Sequence, residues 1–171
     1  MVYKTEKKDP AAEKAALVLE PVVSGLGFAI LELSLSRHRG SAQIRIVIAR
    51  RPEASRIQAE DKGRPAEQER FSIGTEDLGR VHRAVLPRLE SLMEGADFSV
   101  ECSSPGIDRV IKEGAEFPYF RGRPIRCYLP AESRWIRGIL SEAGEKKIIL
   151  ENGDETMELE YEYIAKAKLD G

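Results

Sequence analysis

Beyond Pro105-Gly106 the chain breaks into short strand-like runs at 124–129, 135–140, 147–150, 156–160 and 164–169. Between them stand turn-forming segments, Pro130-Ala131-Glu132-Ser133, Glu142-Ala143-Gly144-Glu145 and Asn152-Gly153-Asp154. No stretch of this half is long enough for a regular helix, and Pro118 keeps any helical turn over Glu116–Phe120 short. Short strands at near-regular spacing with turn chemistry between them predict a small antiparallel barrel. This pattern constrains the fold more than any other feature, because it forces a change of architecture partway along 171 residues.

The first half reads differently. A helix is expected over Ala11–Leu26, with Asp9 as cap, Pro10 at the tolerated first position and Gly25 or Gly27 as stop. Its apolar stripe is Ala15, Leu19, Val22 and Leu26, and Pro21 predicts a kink. Strands follow at Phe28–Ser36, with Ala29, Leu31, Leu33 and Leu35 on one face, and at Gln43–Ala49, with Ile44, Ile46 and Ile48 on one face. The polar link Arg37–Ser41 reads as a hairpin, and apolar residues on both faces call for helices over at least one of them. Arg51–Arg70 has five basic and five acidic residues and two prolines, a long mixed-charge loop insertion. Thr75 is the expected cap of a second helix with stripe Leu78, Val81, Val85, Leu89 and Leu92, ended by Gly95. A strand at Phe98–Cys102 completes an α-β-β-α-β order. The boundary falls near Ser104, giving an α/β domain over 1–104 and a second domain over 105–171.

Chemistry is easier to exclude than to find. His38 and His82 have no carboxylates or thiolates at ligand spacing and read as structural. Cys102 and Cys127 share the apolar phases of their strands and read as small hydrophobes. Gly-Arg-Pro occurs at Gly63 and Gly122 without the Lys-Ser/Thr and helix that a phosphate loop needs. The expectation is a protein that is not an enzyme and has no cofactor or metal; an Asp108–His82 hydrolase is a remote alternative. No apolar run reaches membrane-spanning length, and no apolar core follows the charged N-terminus, so a cytoplasmic protein is expected; nothing in the sequence calls for an obligate oligomer, and a monomer is expected.

The segment Glu101–Ile111 is the most unusual. Pro105-Gly106 suits the centre of a type II turn, with Gly106 at positive φ; Ser103 and Ser104 can cap backbone groups, and Asp108 can pair with Arg109. Ser103-Ser104-Pro105-Gly106-Ile107-Asp108-Arg109, followed by Phe117-Pro118-Tyr119-Phe120-Arg121-Gly122, resembles the RimP family of ribosome maturation factors. Leu19-Glu20-Pro21-Val22, Gly25-Leu26-Gly27-Phe28, Gly138-Ile139-Leu140 and Ile164–Leu169 add weaker matches in the same order. Where this family continues Asp-Arg with Pro-Leu, the chain has Val110-Ile111, and the 51–70 insertion is also a departure. The resemblance implies an α+β protein whose α-β-β-α-β sandwich-like domain precedes a small Sm-like barrel of Src-homology-3 type. It further implies a factor that binds the immature small ribosomal subunit, contacting rRNA and a ribosomal protein near the decoding region.

Net charge is −2, which argues against indiscriminate nucleic-acid binding. Position matters more than the total: Ser103–Arg137 holds seven basic residues against four acidic, and Ser141–Gly171 holds four against nine. The predicted partner-binding residues are therefore Ser103, Ser104, Pro105, Gly106, Asp108, Arg109, Arg121, Gly122, Arg123, Arg126, Arg134 and Arg137. Arginine beside Tyr128 and Trp135 suits phosphate pairing and base stacking, unless Trp135 is a core residue. Arg109→Glu or Arg123→Glu is expected to weaken particle binding without unfolding. The alternative is a free-standing RNA-binding regulator that uses the barrel.

Overall fold

The computed structural model describes residues 10–38, 40–52 and 72–171. Asp9, the side chain of His38 and the charged stretch beyond Pro52 lie outside the described residues. Within them one compact unit draws on residues 10–38, 40–52 and 72–105, and the other on Gly106–Gly171.

In the first unit α1 spans Pro10–Gly25 and starts on proline, whose fixed φ and missing donor suit that position. The helix continues through Pro21. The bond lost there would have been accepted by the carbonyl of Leu17, a residue 77% exposed, so water can replace it. The buried stripe is Ala12, Ala15, Leu19 and Val23, displacing Val22 from the expected set, because steps of three, four and four stay closest to one helical line.

Strands β1 (Phe28–His38) and β2 (Ser41–Arg50) form the antiparallel hairpin, with Gly40 at φ 88° in the turn. A register shift between Ile30 and Glu32 corrects the expected faces of β1. The bulge at Leu31 reverses the alternation, so Phe28 and Ile30 join Leu33 and Leu35 against the core, and Ala29 and Leu31 do not. Strand β3 (Phe98–Ser103) runs parallel to β2, from Ala42 opposite Phe98 to Val47 opposite Ser103. A parallel neighbour needs a crossover, supplied by α2 (Thr75–Met93). The core joins Leu19 and Val23 of α1, Phe28, Ile44, Ile46 and Ile48 of the sheet, and Val81, Val85 and Leu89 of α2.

The start of α2 also differs from expectation. Gly74, not Thr75, is the N-cap, and its N–H donates to the Asp77 carboxylate at 3.2 Å. The same carboxylate accepts from Arg50 Nη2 at 2.6 Å. The Arg50 guanidinium also donates to the Ser72 carbonyl at 3.3 Å and lies 5.1 Å from the centre of the Phe28 ring. Asp77 thus combines capping, dipole and ion-pair roles on a strand-end arginine that is only 7% exposed.

The second unit is a six-stranded antiparallel sheet. Its strands are β4 (Val110–Ile111), β5 (Pro124–Leu129), β6 (Arg134–Ala143), β7 (Lys147–Asn152), β8 (Glu155–Glu160) and β9 (Lys166–Leu169). Their spatial order is β4-β9-β5-β6-β7-β8, which places the last strand between the first two. Alternation sends Ile125, Cys127, Leu129, Ile136, Leu140, Ile148, Leu150, Ala167 and Leu169 to the buried side. The 3-10 segment Gly114–Phe120 adds Phe117 and Phe120. Strand β4 is an element that periodicity missed, since two residues are too few to display a period.

Asp77→Ala leaves Arg50 buried without its counter-charge and removes the cap, so a loss of about 3 kcal/mol is expected. Urea unfolding reads it. A loss below about 1 kcal/mol would show that the ion pair is not what anchors α2.

Candidate functional site

The candidate residues are not brought to one place by the local chain, and several serve the fold. Ser103 ends β3 opposite Val47, and Ser104 is exposed. Gly106 is not among the glycines with positive φ. The turn lies two residues further on, centred on Ile107-Asp108 and closed by the Arg109 N–H donating to the Gly106 carbonyl at 3.2 Å. The expected type II turn over Pro105-Gly106 is therefore corrected. A Cβ at Gly106 would only meet Asp108 Oδ1 at 3.8 Å, so alanine fits there.

Arg109 does not use Asp108. Its Nε and Nη2 donate to Glu116 Oε2 at 3.3 and 3.0 Å, and the Lys112 N–H donates to Glu116 Oε1 at 3.2 Å. The two side chains are 9% and 11% exposed. Sequence reasoning missed Glu116, and the signal available was only an acidic residue opening the predicted helical turn. Arg109→Glu would set a second carboxylate against the first, so that substitution is a test of folding, not of binding.

Arg121 donates through Nε to the Ser141 carbonyl at 3.0 Å. Gly122, buried at φ 76°, donates to the Leu140 carbonyl at 2.7 Å, a backbone role that suits glycine. Arg123 is half-buried, and burial lowers the pKa of its guanidinium. Arg134 pairs with Glu132 at 2.6 Å on the surface.

Arg126 and Arg137 are brought together, opposite one another on β5 and β6. Beside them Tyr128 faces Trp135, their rings 5.4 Å apart and tilted by 52°. Trp135 is 42% exposed, which excludes the core alternative. On the other side of β5, Lys168 opposes Arg126 and Lys166 opposes Tyr128. These lysines belong by position to the acidic tail, yet the pairing of β9 carries them to the arginines. No local signal marks this, because strand order is a non-local property. Asp170 follows in the same phase and lies 3.6 Å from Arg126 Nε and 3.4 Å from Arg137 Nε.

The outer face continues across the sheet with the opposite sign. Glu142 on β6, Glu151 on β7, and Glu158 and Glu160 on β8 occupy the same side as Ile139 and Ile149. Lys147 pairs with Glu158 at 2.8 Å, which raises the lysine pKa. The face is thus basic and aromatic over β9, β5 and β6, and acidic toward β8.

The two thiols are held in their neutral form. Burial pushes the Cys102 thiol up to about 11, with Glu101 adding to the effect, and the Cys127 thiol up to about 12. Among the described residues no group of three His, Cys, Asp or Glu side chains could hold a metal. No described helix is long and apolar enough to cross a membrane.

Fold and surface together define a two-unit α+β protein with a two-signed sheet face. The RimP N-terminal domain family matches residues 18–108. A ribosome maturation factor RimP from Borrelia hermsii is 28% identical over 152 residues, covering 89% of this chain and 91% of the relative. One from Borreliella burgdorferi is 26% identical over 152 residues, covering 89% and 90%. One from Albidiferax ferrireducens is 34% identical over 131 residues, covering 76% and 58%. The chain belongs to the RimP family.

Burial pushes the Glu116 carboxyl up, while Arg109 and the Lys112 N–H pull it back. A folded pKa above the unfolded one favours folding below the ordinary glutamate range, and that contribution is lost as pH rises through the raised value. Arg109→Met removes the main opposing pull and extends the loss to higher pH. Relative to wild type the variant should lose about 3 kcal/mol near pH 8, and less near pH 4. Urea midpoints across that range read it, and a difference independent of pH would contradict the burial of Glu116.

Proposed function

We propose that this chain is a ribosome maturation factor that binds the immature small ribosomal subunit and assists its assembly without catalysing a reaction. The observation that carries this reading is the division of one sheet face into a basic-aromatic half and an acidic half. The basic half, with Arg126, Arg137, Lys166 and Lys168 around Tyr128 and Trp135, suits rRNA phosphates and bases. The acidic half, with Glu151, Glu158 and Glu160, suits a basic ribosomal protein, and such complementarity sets both encounter rate and partner choice. The similar proteins from Borrelia hermsii and Borreliella burgdorferi are named ribosome maturation factors, which supports the setting.

The small-barrel, Sm-like character of residues 105–171 belongs to the same proposal. A single antiparallel sheet with one buried face and no long helix over it buries that face most simply by curling round it. The domain boundary near Ser104 and the binding role of the candidate residues are part of this reading. Of those candidates, Arg126 and Arg137 are the ones on the two-signed face, whereas Arg109 is committed to Glu116.

Co-sedimentation with small-subunit precursors tests the reading. Enrichment on precursors over mature subunits is expected, with accumulation of immature small subunits in a deletion strain. Absence of both would contradict the proposal. Arg137→Glu, at a side chain 65% exposed, should weaken the co-sedimentation about tenfold while leaving the urea midpoint unchanged.

A further inference from the structure

We propose that the β9-β5-β6 face is a single-stranded RNA site whose phosphate position is filled, in the free protein, by the chain's own Asp170. The assignment rests on the ribonucleoprotein reading for its setting, and on the geometry of this face for its chemistry.

Two arginines on adjacent strands converge on one carboxylate, and both contacts are loose. Arg126 Nε is 3.6 Å and Arg137 Nε 3.4 Å from the Asp170 oxygens. The committed pairs of this molecule are shorter: 2.6 Å for Arg50–Asp77, 3.0 Å for Arg109–Glu116 and 2.6 Å for Arg134–Glu132. Charge-assisted hydrogen bonds settle near 2.7–2.9 Å, so Asp170 holds its arginines by charge more than by hydrogen bonding. Arg126 Nε is buried and makes no hydrogen bond at all among the described residues. A buried donor left unmade is costly, and an incoming phosphate oxygen would satisfy it.

The aromatic part lies directly alongside. The Arg126 guanidinium sits 5.3 Å from the centre of the Trp135 ring, and Tyr128 packs against the same ring. A nucleotide seated here places its phosphate between Arg126 and Arg137 and its base against Trp135, a stacking partner available to any base. Lys166 and Lys168 extend the positive charge across β9, about 5 Å from β5 in the hydrogen-bonding direction. Asp170 is fixed by its N–H donating to the Pro124 carbonyl at 3.0 Å, so its carboxylate stands where the phosphate would come. A face of this kind, only three strands wide, fits a splayed single strand. An A-form duplex presents no unstacked base to Trp135.

The test uses the full chain and a fluorescent oligouridylate of about eight nucleotides, within the range such sheets accommodate. Trp135→Leu keeps charge constant and should lower affinity about tenfold, the loss of one stacking contact. Asp170→Asn should raise affinity about fivefold, as a competitor for two arginines is removed. Asp154→Asn, in the β7-β8 turn, makes the same change of net charge and should alter affinity less than twofold. Equal gains from Asp154→Asn and Asp170→Asn would overturn the proposal, as would unchanged binding by Trp135→Leu. Preference for double-stranded RNA would overturn it too. Failure here with intact co-sedimentation removes the RNA site and leaves the maturation reading standing. Oligouridylate binding without enrichment on precursors does the reverse.

Discussion

Everything distinctive about the second unit depends on the pairing of its last strand between β4 and β5. Ala167 and Leu169 are buried there, and Val110, Ile125 and Cys127 oppose residues of β9. Backbone bonds secure both flanks, with Leu169 N–H donating to Arg109 at 2.9 Å and Ala165 N–H to Tyr128 at 3.0 Å. Because side chains alternate, burying Ala167 and Leu169 obliges Lys166, Lys168 and Asp170 to face outward. The surface chemistry follows from the packing of the opposite side.

The same pairing explains why charge sorted along the chain misleads. Ser141–Gly171 is acidic in sum, but Lys166 and Lys168 separate in space from the glutamates of β8, while Lys147 stays paired with Glu158. Lys166 and Lys168 join Arg126 and Arg137, and Glu158 and Glu160 stay on β8 at the far end of the sheet order. Charged residues on an edge strand such as β8 also discourage pairing with another chain.

Local patterns were legible where local physics decides. The α-β-β-α-β order, the stripe of α2, the 3-10 turn around Pro118 and the inward phases of β5 and β2 follow from periodicity and turn chemistry. Other features did not, each for a definite reason. The bulge at Leu31 inverts a phase that simple alternation carries straight through. The turn after Pro105 uses Gly106 as an acceptor, where Pro-Gly chemistry suggests a positive φ. Arg109 has an acidic neighbour in sequence but a better partner in space, since Glu116 alone can also accept the Lys112 N–H. Of the twelve candidate binding residues, only Arg126 and Arg137 lie on the face where arginine, tyrosine and tryptophan meet, and the lysines beside Arg126 come from β9, far along the chain.

On the proposed function, one sheet face meets rRNA at its basic end and a ribosomal protein at its acidic end. Site-specific photo-crosslinking tests it most directly, with a benzophenone side chain placed at position 135 or at position 160 and the protein bound to small-subunit precursors. Crosslinks to rRNA are expected from position 135 and to a ribosomal protein from position 160. Crosslinks to protein alone from position 135, or none from either position on a particle that still binds the factor, would contradict it.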